Sequence, residues 1–212
     1  SLSRADALII AVPAQAVRET LAAIRPVLRA GLPLIVSAKG IEQGSGKFLN
    51  EVVAESAPHA RPMVLSGPSF AADVLKGLPT AVVLAAPSMS EAGEWAGVLS
   101  IPEFRIYATD DVLGVEIGGA LKNVLAIACG ISDGRGLGDS ARAALTARGF
   151  AELSRFGRKL GAKPETLMGL SGLGDLLLTC SSRQSRNYAF GFAIGEGNPV
   201  ASALALSKGV VE

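Results

Sequence analysis

The chain has 212 residues, 49% hydrophobic and 18% charged, with a positive mean hydropathy, enough apolar surface to bury a sizeable core without metals or disulfides. Twenty basic and nineteen acidic residues leave a net charge of +1, and a cut at Asp110 divides them evenly, 9 and 9 before it, 11 and 10 from it onward. These values exclude a disordered chain and deny both halves the basic footprint of a nucleic-acid or membrane-surface binder.

In chain order, Ala5 to Val12 (ADALIIAV) is a short apolar run ending at Pro13, as a strand buried on both faces would read. Ala14 to Ala30 follows as a helix with Val17, Leu21, Ile24 and Leu28 on one stripe and Gly31 past its end. The alternation then repeats. Leu32–Ala38, Pro62–Ser66, Thr80–Ala86 and Phe104–Thr109 read as strands, and Glu42–Ser56 and Ser88–Leu99 as helices. This pattern predicts an α/β fold, a doubly wound parallel sheet, although the segment after Pro68 is short for a crossover.

From Asp110 onward no run has strand character. Residues 111–131 and 140–162 read as long helices, the second capped by Asp139 or Ser140, carrying Leu145, Leu153, Phe156 and Leu160 on one stripe and stopping at Gly161. The expected organisation is a sheet domain over residues 1–109 and an all-helical domain over 110–212.

The longest uncharged stretch, Gly77–Ser90, is broken by Pro79 and Pro87 and falls short of the roughly 20 apolar residues of a membrane helix. A soluble, cytoplasmic protein is expected, and Ser1 opens into charged residues rather than a signal peptide. Cys129 and Cys180, with one histidine, offer no zinc set and read as small buried apolar groups in a reducing compartment. A sheet of this type normally holds its nucleotide on a glycine-rich turn after the first strand. Here the strings GRGLG (Gly134–Gly138) and GLSGLG (Gly169–Gly174) follow no strand, and Gly40–Phe48 has the wrong spacing for a phosphate loop.

Lys122 is the only charge between Gly118 and Ser132. Such a lysine is either desolvated, with the lowered pKa that suits proton transfer, or snorkels out of a half-buried helix. Asn123 beside it must also find partners. Further on, Asp175 sits among apolar residues, and Ser185, Arg186 and Asn187 place a hydroxyl, a guanidinium and an amide side by side, a set that suits a phosphate or, equally, a helix cap with a solvated arginine. Ser66–Phe70 (SGPSF) and Lys39–Gly40 end strands where the crevice of an open sheet lies, and could also be ordinary turns. His59 lies in a loop between a helix and a strand, a poor position for a catalytic triad.

Together and in this order, VPAQ at Val12–Gln15, KGIE at Lys39–Glu42, SGPSFAADVLKGLPTAVVLA from Ser66, GVEIGGALKNVLAIACGISDGRGLG from Gly114 and GLSGLGDLLLTCSSRQSRN from Gly169 resemble the NAD(P)-dependent glycerol-3-phosphate dehydrogenases of bacterial type. The resemblance implies a Rossmann-type sheet, with this chain holding its C-terminal part, followed by a helical domain. It implies Lys122 as general acid/base, Lys39, Gly67 and Ser69 along the substrate crevice, Asp175 completing the polar site, and Ser185, Arg186 and Asn187 on the phosphate. Lys39, Ala71, Arg186, Val210 and Glu212 match positions that touch the dinucleotide, NAD(P)H.

A homodimer acting on dihydroxyacetone phosphate and sn-glycerol 3-phosphate, for phospholipid synthesis, is implied as well. The chain begins after the family's glycine-rich turn and ends before its last helices, so an internal piece is expected, and Tyr188 and Ala189 stand where the family often carries basic residues. Alternatives are a related dehydrogenase of β-hydroxy acids, against which the phosphate-binding trio argues, and a non-catalytic phosphate-binding module.

Overall fold

Five strands form one sheet in the order β1 (Leu8–Ile10), β2 (Pro33–Val36), β3 (Arg61–Ser66), β4 (Thr80–Ala85) and β5 (Phe104–Thr109) in the computed structural model, which describes residues 4–207. Helices α1 (Val17–Ile24) and α2 (Leu49–Ser56) join β1 to β2 and β2 to β3 as parallel crossovers, and α4 (Met89–Leu99) joins β4 to β5 in the same way. One pair departs from the expected parallel sheet: β3 and β4 are antiparallel, with Leu65 opposite Leu84. Their link holds only the five-residue helix α3 (Ala71–Leu75), too little to carry the chain back to the starting end of the sheet.

Both faces are covered. Leu34 and Val36 meet Val17, Leu21 and Val52 of α1 and α2, while Ile35, Met63, Val82 and Leu84 meet Ala92 and Ala96 of α4. Burial on both faces holds for β2 but fails for β1, where Ile9 is 55% exposed. Ile9 is paired with Ile35, on the face that α4 covers farther along, over β4 and β5. Helix α1 is shorter than its stripe predicts, because the chain tightens into a 3₁₀ turn at Arg25–Val27 around Pro26. Helix α2 starts at Leu49 rather than Glu42. The residues between fold into a turn in which Gly44 and Gly46 have positive φ and Glu42 is held by Arg18 at 2.7 and 2.8 Å.

Beyond β5, the described residues are helical: α5 (Val112–Gly134), α6 (Asp139–Leu160), α7 (Pro164–Met168), a π turn (Leu170–Gly174), α8 (Asp175–Cys180), α9 (Arg186–Gly195) and α10 (Val200–Leu206). Helix α5 is long and apolar enough, by length and composition, to cross a membrane, although no single uncharged stretch in it is long. Its apolar character has another use here, since it is the central helix: Val115 packs on the sheet beside Val64 and Ala85, Ile117 meets Leu153 and Leu167, and Ala126 and Cys129 meet Leu176 and Tyr188.

The cap expected for α6 is not made by Asp139 or Ser140; Gly138, at φ 86°, occupies that position without a side-chain bond. The expected stripe is also only partly buried. Leu153 is covered, but Phe156 and Leu160 are 43% and 44% exposed, because Leu167 of α7 packs against Gly157 instead. Gly161 does end the helix, in the left-handed conformation. Cys129 and Cys180 are both free and buried, as expected.

Candidate active site

The carboxyl ends of β1 and β2 and the loop after β3 open onto a crevice of about 780 Å³, the place where open α/β sheets bind ligands. Lys39, Ser69 and Ala71 line it from the sheet side. Lys122 and Asn123 of α5, Thr179 of α8, and Ser185, Arg186 and Asn187 at the start of α9 line it from the helical side.

At its inner end, Asp175 joins two lysines. Lys122 Nζ donates to Asp175 Oδ1 at 2.7 Å and to Thr179 Oγ1 at 2.9 Å, and Lys39 Nζ donates to Asp175 Oδ2 at 2.5 Å and to the Gly67 carbonyl at 3.0 Å. Each ammonium has three donors, so each keeps one beyond these bonds. The Thr179 hydroxyl donates back to Asp175 Oδ1 at 3.2 Å. Asp175 is 1% exposed and Lys122 7%.

This contact depends on how closely two backbone segments approach. A Cβ on Gly118 of α5 would lie 2.5 Å from the Ser171 carbonyl of the π turn, so glycine alone lets α5 lie against the turn that leads into Asp175. π turns concentrate at functional sites, and here the turn delivers Asp175 to the face of α5 that carries Lys122. Gly67 has a comparable constraint: at φ 148° its Cβ would lie 2.9 Å from Val82 Cα.

Burial, and secondarily the neighbouring Lys39 charge, pulls the Lys122 ammonium down to about 8, with Asp175 opposing both. Lys122 therefore exchanges its proton near neutral pH, as a general acid/base requires. Two ammonium groups and one carboxylate leave the inner end net positive while Lys122 is protonated.

The outer end is built differently. Ser185 is the N-cap of α9, its hydroxyl accepting from the Tyr188 backbone N–H at 3.2 Å, so the trio is a helix cap as well as a crevice wall. Asn187 is 8% exposed, while Arg186 is exposed and its guanidinium has no ion pair among the described residues. Nearby Arg183 is committed elsewhere, stacked over the Phe192 ring at 3.8 Å. A helix N-terminus with a free guanidinium beside it suits an anion. Tyr188 faces away from the crevice, 5% exposed, with its hydroxyl bonded to Asp133.

The residues singled out in the sequence do not all meet the crevice. Lys39, Ser69, Ala71, Lys122, Ser185, Arg186 and Asn187 line it, whereas Gly67 and Asp175 lie behind the lysines and are hydrogen-bonded to them. Val210 and Glu212 lie outside the described residues. His59 is exposed in a turn. Thr179 and the crevice-facing role of Asn123 were not singled out by sequence, although Thr179 stands one helical turn after Asp175, a spacing that brings two side chains together.

The family model described as the C-terminus of NAD-dependent glycerol-3-phosphate dehydrogenase matches residues 111–212, and the one described as its N-terminus matches residues 1–92. A glycerol-3-phosphate dehydrogenase [NAD(P)+] of Bradyrhizobium sp. is 60% identical over 198 residues, 93% of this chain and 61% of that protein. The one from Methylobacterium radiotolerans is 60% identical over 203 residues, 95% of this chain and again 61% of the relative. The crystal structure of glycerol-3-phosphate dehydrogenase from Coxiella burnetii superposes with a TM-score of 0.94 at 43% identity, covering 100% of this chain and 65% of that one. The chain thus spans about three-fifths of the length of the curated relatives it matches. Matched over both halves, it belongs to the NAD-dependent glycerol-3-phosphate dehydrogenase family.

Proposed function

We propose that the protein interconverts dihydroxyacetone phosphate and sn-glycerol 3-phosphate with NAD(P)H, in the cytoplasm, as a homodimer not inserted in the membrane, and so supplies glycerol 3-phosphate for phospholipid synthesis. The observation that carries this reading is one crevice that joins a lysine of lowered pKa to a free guanidinium at a helix N-terminus. A division into a dinucleotide-binding part, residues 1–109, and a substrate-binding helical part, residues 110–212, goes with it.

The crevice suits the nicotinamide end of a dinucleotide, since it lies at strand carboxyl ends and has a small, apolar wall at Val12, Pro13 and Ala71. Lys39, Ala71 and Arg186 would hold that group, with Val210 and Glu212 in the roles the family resemblance implies. When bound, the dinucleotide supplies or accepts the hydride at C2 of the substrate. Lys122 Nζ gives a proton to the C2 oxygen in reduction and removes it in oxidation. Asp175 and Thr179 hold Nζ in place for this transfer, and the positive inner end stabilises the developing alkoxide. Gly67 fixes Lys39 through its carbonyl, and Ser69 stands beside it on the wall. Ser185, Arg186 and Asn187 bind the phosphate.

Lys122→Met tests this. The variant keeps the fold, because an apolar chain of similar length fills the site, and loses at least ~10²-fold in kcat. In the parent, reduction slows as pH rises through about 8, where Lys122 loses its proton, and oxidation quickens over the same range. A folded Lys122→Met protein with turnover within about threefold of the parent, far less than such a loss, would overturn the assignment.

A further inference from the structure

Glu116 stands on α5, six positions before Lys122, and does not line the crevice. It is 7% exposed, its Oε1 accepts the Asn50 backbone N–H at 2.8 Å in the first turn of α2, and its Oε2 has no partner among the described residues. A second buried orphan, Ser66 Oγ at the end of β3, is on a residue 3% exposed. Ser66 and Glu116 line one small cavity of about 10 Å³ together with Lys39 and Gly119. That is close to the space one water molecule occupies, and two buried polar atoms without partners are what a structural water satisfies.

Lys39 is the wall between this cavity and the crevice. Its stem packs over Gly119, where a Cβ would lie 3.3 Å from Lys39 Cγ and 3.0 Å from Ser66 Oγ, while its Nζ reaches Asp175 on the other side. Burial holds the Glu116 carboxyl protonated up to about 8, which makes it a donor as well as an acceptor at neutral pH.

We propose that the small cavity holds one water bonded to Ser66 Oγ and the Glu116 carboxyl, and that Glu116 with this water is a positioning element for Lys39. The loop bearing Lys39 runs from β2 to α2. Glu116 fixes its far end by holding the first turn of α2 onto α5, and the water closes the space into which the lysine stem would otherwise retract. One helix thereby sets both lysines on the two oxygens of Asp175, Lys122 directly and Lys39 through Glu116. The kinetic consequence, though not the positioning, rests on the function proposed above.

The test compares the parent with Glu116→Gln, which keeps an acceptor for Asn50 and a donor for the water, and Glu116→Leu, which keeps the volume and removes both. Crystal structures of the parent and Glu116→Gln are expected to show the water and the Lys39–Asp175 contact, and Glu116→Leu to have lost both. For reduction of dihydroxyacetone phosphate, kcat falls ~10²-fold in Glu116→Leu, the scale of a small misplacement in an active site, and changes less than about threefold in Glu116→Gln. A dry cavity in the parent, or an unmoved Lys39 in Glu116→Leu, overturns the proposal. If Glu116→Leu does not fold, Ser66→Ala is expected to lose the water, and its retention overturns the proposal equally. A parent that shows the water but no turnover, with the expected shift of Lys39 in Glu116→Leu, supports the positioning and overturns the proposed function.

Discussion

The two ends of the crevice are assembled by opposite strategies. At the inner end the charges are bonded to one another before any ligand arrives: Lys39, Lys122 and Thr179 form one network around the buried Asp175. At the outer end the guanidinium of Arg186 lies exposed and without an ion pair among the described residues, while the Ser185 hydroxyl is committed to its own helix. On the function proposed above, the difference follows from what each end does. A group that moves a proton must be held in place and stripped of water, which makes it costly to leave unpaired. A group that binds an anion keeps its donors free for it and stays solvated until then.

If that contrast is sound, removing the inner anion does the greatest damage. Asp175→Asn leaves Lys39 and Lys122 facing each other without a carboxylate, and stability should fall by roughly 3–5 kcal/mol, the cost of breaking a buried ion pair from one side. The urea denaturation midpoint measures it, and a loss below about 1 kcal/mol would place this network among ordinary surface ion pairs. At the outer end, Arg186→Lys should leave stability untouched and weaken dihydroxyacetone phosphate binding by about 1–3 kcal/mol, because a lysine cannot grip two phosphate oxygens. Titration calorimetry reads this, and unchanged affinity would return Arg186 to the solvent-exposed surface. The smallest effect belongs to the residue shared between cap and crevice. Ser185→Ala should cost about 1 kcal/mol of stability through the lost N-cap, and a thermal midpoint equal to the parent's would mean that the hydroxyl serves only a ligand.

Legibility differed between regions in the same way. Strand β5 matches its predicted bounds, Phe104–Thr109, and α5 was visible as one long apolar helix, because both are local patterns that burial on any available partner satisfies. The antiparallel β4 was signalled only by the short link after Pro68, and the late start of α2 and the exposure of Phe156 and Leu160 were not visible. Each was decided by a neighbour remote in sequence or by a short link, and periodicity carries no information on either.

The sequence by itself determined the succession of strands and helices, the isolation of Lys122 in an apolar run and the motif order by which the family is recognised. The choice between a buried, desolvated lysine and a snorkelling one lay elsewhere, in the meeting of Lys122 with Asp175, 53 positions away. Only the tertiary structure brings the π turn against Gly118 closely enough to pair them. A pKa depends on burial and on charges within a few ångströms, and both are properties of the packed chain rather than of any segment of it.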